Sequence, residues 1–137
     1  MERTLTILKP DSISAGKAGA ILAHLEKEGF RFIALRRMRL SPEQAKAFYA
    51  VHRERPFYEA LVRFMTEGPV VVAALERADA VAHLRRTMGA TDSRKAEAGS
   101  VRNLFGTDIE RNAIHGSDSK ENAAKEIAFF FSDAELV

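Results

Sequence analysis

The 137-residue sequence predicts an α/β fold of the sandwich (α+β) kind, with helices packed on a mainly antiparallel four-stranded sheet. Three observations predict it. Apolar residues switch between the alternating spacing of strands and the wider spacing of helices, in the order strand, helix, strand, helices, strand, helix, brief strand, helix. The run Val70 to Leu75 is apolar almost throughout, as in a strand covered on both faces. Gly29, Ser41-Pro42, Gly68 and Gly89 punctuate the changes of period.

The elements follow in order. Thr4 to Lys9 alternates polar and apolar until Pro10 ends the strand. Ala18, Ile21, Leu22 and Leu25 recur at helical spacing, and Gly29 fits a C-terminal cap. Phe30 to Leu40 reads as a long second strand. Ser41-Pro42-Glu43-Gln44 combines a capping serine, a proline at the first helical position and a glutamine three residues on, and Ala45, Phe48, Tyr49 and His52 then line one face. Pro56 separates this helix from a shorter one bearing Phe57, Leu61, Phe64 and Met65. After the strand Val70 to Leu75, Ala78 to Met88 is a helix ending at Gly89. Ala90 to Arg111 shows no convincing period and reads as a long loop, which in a compact domain is more often functional than idle. A short strand then leads to a helix capped by Asp118 or Ser119, with Ala123, Ile127 and Phe130 facing inward.

Composition narrows the classes. At 46% hydrophobic and 29% charged residues the chain is an ordinary globular protein, expected to form one domain over residues 1–137 without linker or repeat. It has no cysteine, which excludes disulfides and thiolate metal sites, and its four histidines lack metal-ligand spacing. No apolar run approaches the roughly 20 residues that span a bilayer, and the start Met1-Glu2-Arg3-Thr4-Leu5 has no apolar leader, so no membrane partner and a cytoplasmic location are expected. A net charge of +2 is too slight to argue for nucleic acid. Arginine outnumbers lysine 14 to 7 and Asn plus Gln total four, a bias that suits heat adaptation and biased genome composition equally.

His115 is the leading candidate for chemistry. It ends a short apolar run where small polar residues lead into a helix, so a rigid element holds a ring that faces open space. Neutral imidazole is a good nucleophile near pH 7, and the N–H groups opening the next helix favour anions. An arbitrary histidine at a turn is more often merely hydrogen-bonded, and the strand-to-helix position argues against that here. Glu126 flanks the apolar stripe of the last helix, where its carboxylate can turn back to orient the imidazole. Lys9 alone reads as a solvated lysine, or as a cation at the strand edge where α/β sheets bind ligands. Arg85 borders the stripe Val81, Leu84 and Met88, equally consistent with lying along the core edge and with gripping phosphate. Arg102 in the long loop is exposed by default. Asn112 suits a turn or a sugar hydroxyl. Phe57 and Leu61 have core spacing, yet Phe57 after Pro56 can project and stack on a base.

Other motifs fail. Gly16-Lys17 would need glycine in place of Asp11 and Ser or Thr in place of Ala18 to form a Walker loop, and neither a G-x-G-x-x-G nor paired carboxylates spaced for hydrolysis or metal chelation occur. The run Glu28 to Leu35 half matches an aromatic RNA-stacking signature, but Glu28, Arg31 and Leu35 break it and it falls on the wrong strand. With Arg36-Arg37-Met38-Arg39 it prompts the rival reading, a non-catalytic nucleic-acid-binding module.

Asn112-Ala113-Ile114-His115-Gly116-Ser117-Asp118, together with Leu8-Lys9-Pro10-Asp11 and Arg55-Pro56-Phe57, resembles the nucleoside diphosphate kinase family. Gly29-Phe30, Gly68-Pro69-Val70-Val71 and Lys125-Glu126-Ile127 extend the likeness over almost the whole chain. The resemblance implies a ferredoxin-like βαββαβ sheet. It also implies ping-pong transfer of a γ-phosphoryl group from an NTP to an NDP through the δ nitrogen of His115, with Mg²⁺ carried on the phosphates and broad base specificity. Lys9, Tyr49, Arg85, Thr91, Arg102 and Asn112 match family positions around phosphates, sugar and histidine; Phe57, Leu61 and Ile109 match the base slot; Glu126 and Ser117 match the histidine's supporting groups. A homo-oligomer is implied, six subunits favoured over four. The chain departs from the family pattern at Ser93, Ala98, Asn103 and Leu104, where fewer prolines leave more entropy to lose on ordering.

Overall fold

The computed structural model describes residues 1–137 and contains one four-stranded sheet in the order β2-β3-β1-β4, every neighbouring pair antiparallel. Strand β1 (Glu2–Leu8) is followed by α1 (Pro10–Ser14) and α2 (Ala18–Lys27), then β2 (Arg31–Met38), α3 (Pro42–Phe48), α4 (Tyr58–Thr66), β3 (Val70–Arg77), α5 (Ala80–Met88), α6 (Val101–Phe105), β4 (Ile114–Gly116) and α7 (Lys120–Phe130). Single 3₁₀ turns occupy Ala50–His52, Ser93–Lys95 and Asp133–Glu135. This is the expected ferredoxin-like arrangement.

The two-residue period of the strands sorts the core into two layers. Leu5 and Ile7 of β1 and Val70, Val72 and Ala74 of β3 meet Ala45, Val62, Phe64, Met65, Ile127 and Phe130 from α3, α4 and α7. Leu8, Val71, Ala73 and Leu75 point the other way, against Ile21 and Leu25 of α2 and Leu84 and Met88 of α5. Val70 through Leu75 is accordingly buried on both faces, as its unbroken apolar run predicts.

Local signals act where expected. Ser41 Oγ accepts from Gln44 N at 3.0 Å while Gln44 Oε1 accepts from Ser41 N at 2.8 Å, a reciprocal cap that starts α3. Gly29, with φ of 87°, follows the end of α2. Of the two candidate caps of α7, Ser119 does the work, its Oγ accepting from Asn122 N.

Four expectations are corrected. Ala90 to Arg111 is not one loop: it holds the Ser93–Lys95 turn and α6, capped by Ser100, whose Oγ accepts from Asn103 N. Asn103 Oδ1 in turn accepts from Gly99 N, so two side chains at or beside the departures from the family pattern tie the loop down. The first strand ends at Leu8, and the chain turns at once into α1, because proline that stops a strand also suits a first helical turn. Helix α3 stops at Phe48, so Tyr49 and His52 belong to the following turn. The second strand spans Arg31–Met38, shorter at both ends than the apolar pattern suggests.

Candidate active site

Strand β4 is three residues long and sits at an edge of the sheet, paired with β1 so that His115 lies opposite Ile7. Its backbone is held on the inner side by Thr6, whose hydroxyl donates to the His115 carbonyl at 2.8 Å. Because Ile7 belongs to the layer under α3, α4 and α7, the imidazole projects to that side, where Phe48 meets it edge-on at 5.5 Å between ring centroids and Tyr49 at 6.4 Å. Gly116 follows because nothing larger fits: a Cβ there would stand 2.5 Å from Met88 Sδ and 2.9 Å from Leu84 Cδ2.

One turn into α7 and beyond, Glu126 reaches back to the ring. His115 Nε2 lies 2.8 Å from Glu126 Oε1, and Ser117 Oγ donates to the same oxygen at 2.8 Å. A carboxylate only accepts, so Nε2 carries the proton and the lone pair is left on Nδ1. Ser117, fully buried, is itself fixed by the Leu5 N–H, 3.3 Å from its hydroxyl. The His115 side chain keeps 20% of its surface exposed and lines a cavity of about 770 Å³.

Three cations gather at one end of that cavity. Lys9 is buried rather than solvated, and its ammonium donates to Asn112 Oδ1 at 2.7 Å. Burial, and then the charge of Arg102, lowers the Lys9 pKa to about 8, against the upward pull of Asp11 and Glu110. Arg102 is not the exposed loop residue expected: it is 6% exposed, because α6 folds its guanidinium in to donate to Gly89 O at 3.1 Å and Ile114 O at 2.8 Å. Burial and the neighbouring Arg85 lower its pKa to about 10. Arg85 settles its two readings in favour of the cleft: its side chain is exposed, lines the cavity, and approaches Gly116 O at 3.4 Å. Asn112 is 2% exposed; its Nδ2 donates to Thr91 O and Ile109 O, so much of its amide is committed to holding Lys9 and the loop.

Further out, Phe57 and Ile109 are large apolar residues left 48% and 60% exposed. Both line the cavity with partly buried Leu61, forming a slot open to a flat ring. Thr91 lines the same cavity. Tyr49 is buried with its hydroxyl unpartnered, and burial together with the Glu126 charge raises its pKa, so it stays a neutral O–H. All of the candidate residues except Ser117, which stands behind the ring, line one cavity. Sequence reasoning missed Phe48, Phe129 and His52, which line the same cavity. Phe48 and His52 carried a signal, their place on the predicted helix face, but it pointed to core.

Of the features behind the rival reading, Arg37 and Arg39 stay exposed, but three others are engaged within the fold. Phe30 is buried, Phe32 packs against the α2/α5 layer, and Arg36 donates to Phe130 O and pairs with Glu135.

Residues 2–136 match the family model described as nucleoside diphosphate kinase. A nucleoside diphosphate kinase of Acidiphilium cryptum is 57% identical over 136 residues, covering 99% of this chain and 97% of that protein. Among solved structures, the Aquifex aeolicus nucleoside diphosphate kinase superposes with a TM-score of 0.97 at 52% identity, covering 99% of both chains. A halophilic nucleoside diphosphate kinase of Halobacterium salinarum, solved in complex with CDP, gives 0.95 at 42% identity over 99% of this chain and 91% of that one.

Proposed function

Since the chain belongs to the nucleoside diphosphate kinase family and is an enzyme that uses nucleotide substrates, we propose that it works by a ping-pong cycle through His115. The observation that carries this is the ring's own geometry: Nε2 engaged by Glu126, Nδ1 free, three cations beside it. In the first half, the Nδ1 lone pair attacks the γ-phosphorus of an NTP. The bond from that phosphorus to the β-γ bridging oxygen breaks, and the NDP leaves with the electron pair. In the second, a terminal β-phosphate oxygen of another NDP attacks the same phosphorus, the Nδ1–P bond breaks, and the ring returns to neutral imidazole.

Glu126 stabilises the positive charge that builds on the ring as Nδ1 bonds to phosphorus, and Ser117 holds that carboxylate in place. Lys9, Arg85 and Arg102 offset charge on the transferring oxygens, the principal demand of phosphoryl transfer. The Tyr49 hydroxyl, unpartnered in a ring that stands edge-on to His115, is a donor available to an oxygen of the phosphoryl group. Thr91 and Asn112 border the path of phosphates and sugar, while Phe57, Leu61 and Ile109 hold the base by stacking, which tolerates any base. Mg²⁺ is expected on the nucleotide phosphates, where it would neutralise their charge. We place the enzyme in the cytoplasm as a single-domain subunit of a homo-oligomer, a hexamer in preference to a tetramer, which sedimentation velocity tests.

Incubation with γ-labelled ATP is expected to leave acid-labile, base-stable label on His115. Normal labelling and turnover of His115→Ala overturns the mechanism.

A further inference from the structure

The segment Asn112 to Ile114 supplies both anchors of the phosphate end, since the Asn112 amide holds Lys9 and the Ile114 carbonyl holds Arg102. Between them stands Ala113, fully buried, with φ of 74°. That left-handed conformation is unfavourable for alanine and persists only where its surroundings impose it. The Ile114 N–H donates to the Asn112 carbonyl at 2.9 Å and closes a tight turn over it, while the polar contacts that Ala113 itself makes all come from the turn after β1. The Ala113 N–H donates to Asp11 Oδ2 at 3.1 Å. Its carbonyl accepts from Lys9 N at 2.9 Å and from Ser12 Oγ at 3.1 Å. The second carboxylate oxygen of Asp11 is buried without a partner, an arrangement that core packing alone would not select.

We infer that Asp11 is a positioning residue for phosphoryl transfer: by capping the Ala113 N–H it holds the kink that sets Asn112 against Lys9 and the Ile114 carbonyl against Arg102. The inference rests on the reading of His115 as the phosphoryl carrier and assigns a function to a side chain outside the cavity lining. The same carboxylate acts on Lys9 by charge. The charged groups around Lys9 are Asp11 on α1, Arg102 on α6 and Glu110 before β4; Asp11 and Glu110 favour the ammonium and Arg102 opposes it. Asp11 therefore has two separable effects, one through an oxygen that accepts and one through a negative charge.

The test compares the rate of His115 labelling by γ-labelled ATP in the wild type, Asp11→Asn, Asp11→Ala and Asp11→Ala/Ala113→Gly. Asp11→Ala is expected to label about 10-fold or more slowly at saturating ATP, the scale of one lost charge-assisted hydrogen bond, with the KM for ATP changed less because the base slot is untouched. Asp11→Asn keeps an acceptor for the N–H and is expected within about 3-fold of wild type near pH 7, with the alkaline limb of its pH profile moved to lower pH. The double variant is expected to recover most of the lost rate, since glycine holds a positive φ without a clamp. Wild-type labelling on His115 tests the underlying reading on its own. Given that label, an unchanged rate in folded Asp11→Ala overturns the positioning role, as does a double variant no faster than Asp11→Ala. If Asp11→Ala does not fold, the double variant decides: labelling within 10-fold of wild type supports the inference, and slower labelling overturns it.

Discussion

At the scale of single residues, the site works by dividing the two faces of one imidazole ring. Glu126 accepts from the Nε2–H and so leaves the free lone pair on Nδ1, the atom that the proposed cycle directs at phosphorus. Replacing it with alanine forfeits a hydrogen bond to a charged partner, about 1.5–3 kcal/mol, and is expected to slow His115 labelling by about 10–100-fold with little change in nucleotide affinity, measured by rapid quench. Lys9 gives a pH signature. Its folded pKa of about 8 lies below the ordinary 10.5, so between those values the unfolded chain holds more protons than the folded one. The stability of the unliganded protein owed to this group therefore rises with pH across that window, while below pH 8 the full burial penalty stands. Phosphate affinity runs the other way. The kcat/KM profile is expected to fall on its alkaline side near pH 8, and calorimetry above pH 8 to show proton uptake on ATP binding. His115 and Lys9 were legible as candidates because in the sequence each closes a short apolar run beside a turn. The burial of Arg102 was not, since it depends on where α6 lands rather than on any neighbour in sequence.

At the scale of elements, strand β4 carries His115 on three residues, and its position is set by what lies beneath it. Gly116 lets the strand approach α5 where a methyl group would meet Met88 and Leu84. Gly116→Ala is expected to cost about 1–3 kcal/mol through overpacking, read as a lowered Tm, and to slow labelling because His115 is displaced with the strand. The reciprocal cap at Ser41 and Gln44 was readable residue by residue, since its chemistry is local. Helix α6 was not readable: at five residues it is too short to show a period, and its Ser100 and Asn103 caps resemble loop composition.

At the scale of the whole molecule, the sheet brings Lys9 from the first strand's end beside Asn112 and His115, while α5 and α6 deliver two arginines to the free edge of β4. The apolar slot proposed for the base is lined by different side chains, exposed Phe57 and Ile109 with partly buried Leu61. Phe57→Ala is expected to raise KM for purine and pyrimidine nucleotides alike, by the equivalent of about 1–3 kcal/mol of lost stacking, while the rate at saturation changes little. A strong preference for one base in the wild type would contradict a slot built only for stacking.

The sequence by itself determined the alternation of strands and helices, the doubly buried β3, the cap of α3, and His115 as the residue carried on the short strand before the last helix. Periodicity and capping involve neighbours only a few positions apart, so they are written locally. Tertiary structure alone decided which ring nitrogen is free, that Lys9 and Arg102 are buried, and that Ala113 is held by Asp11 and Ser12. Those outcomes join groups as far as 103 residues apart, and only the closed sheet brings such groups within hydrogen-bond distance.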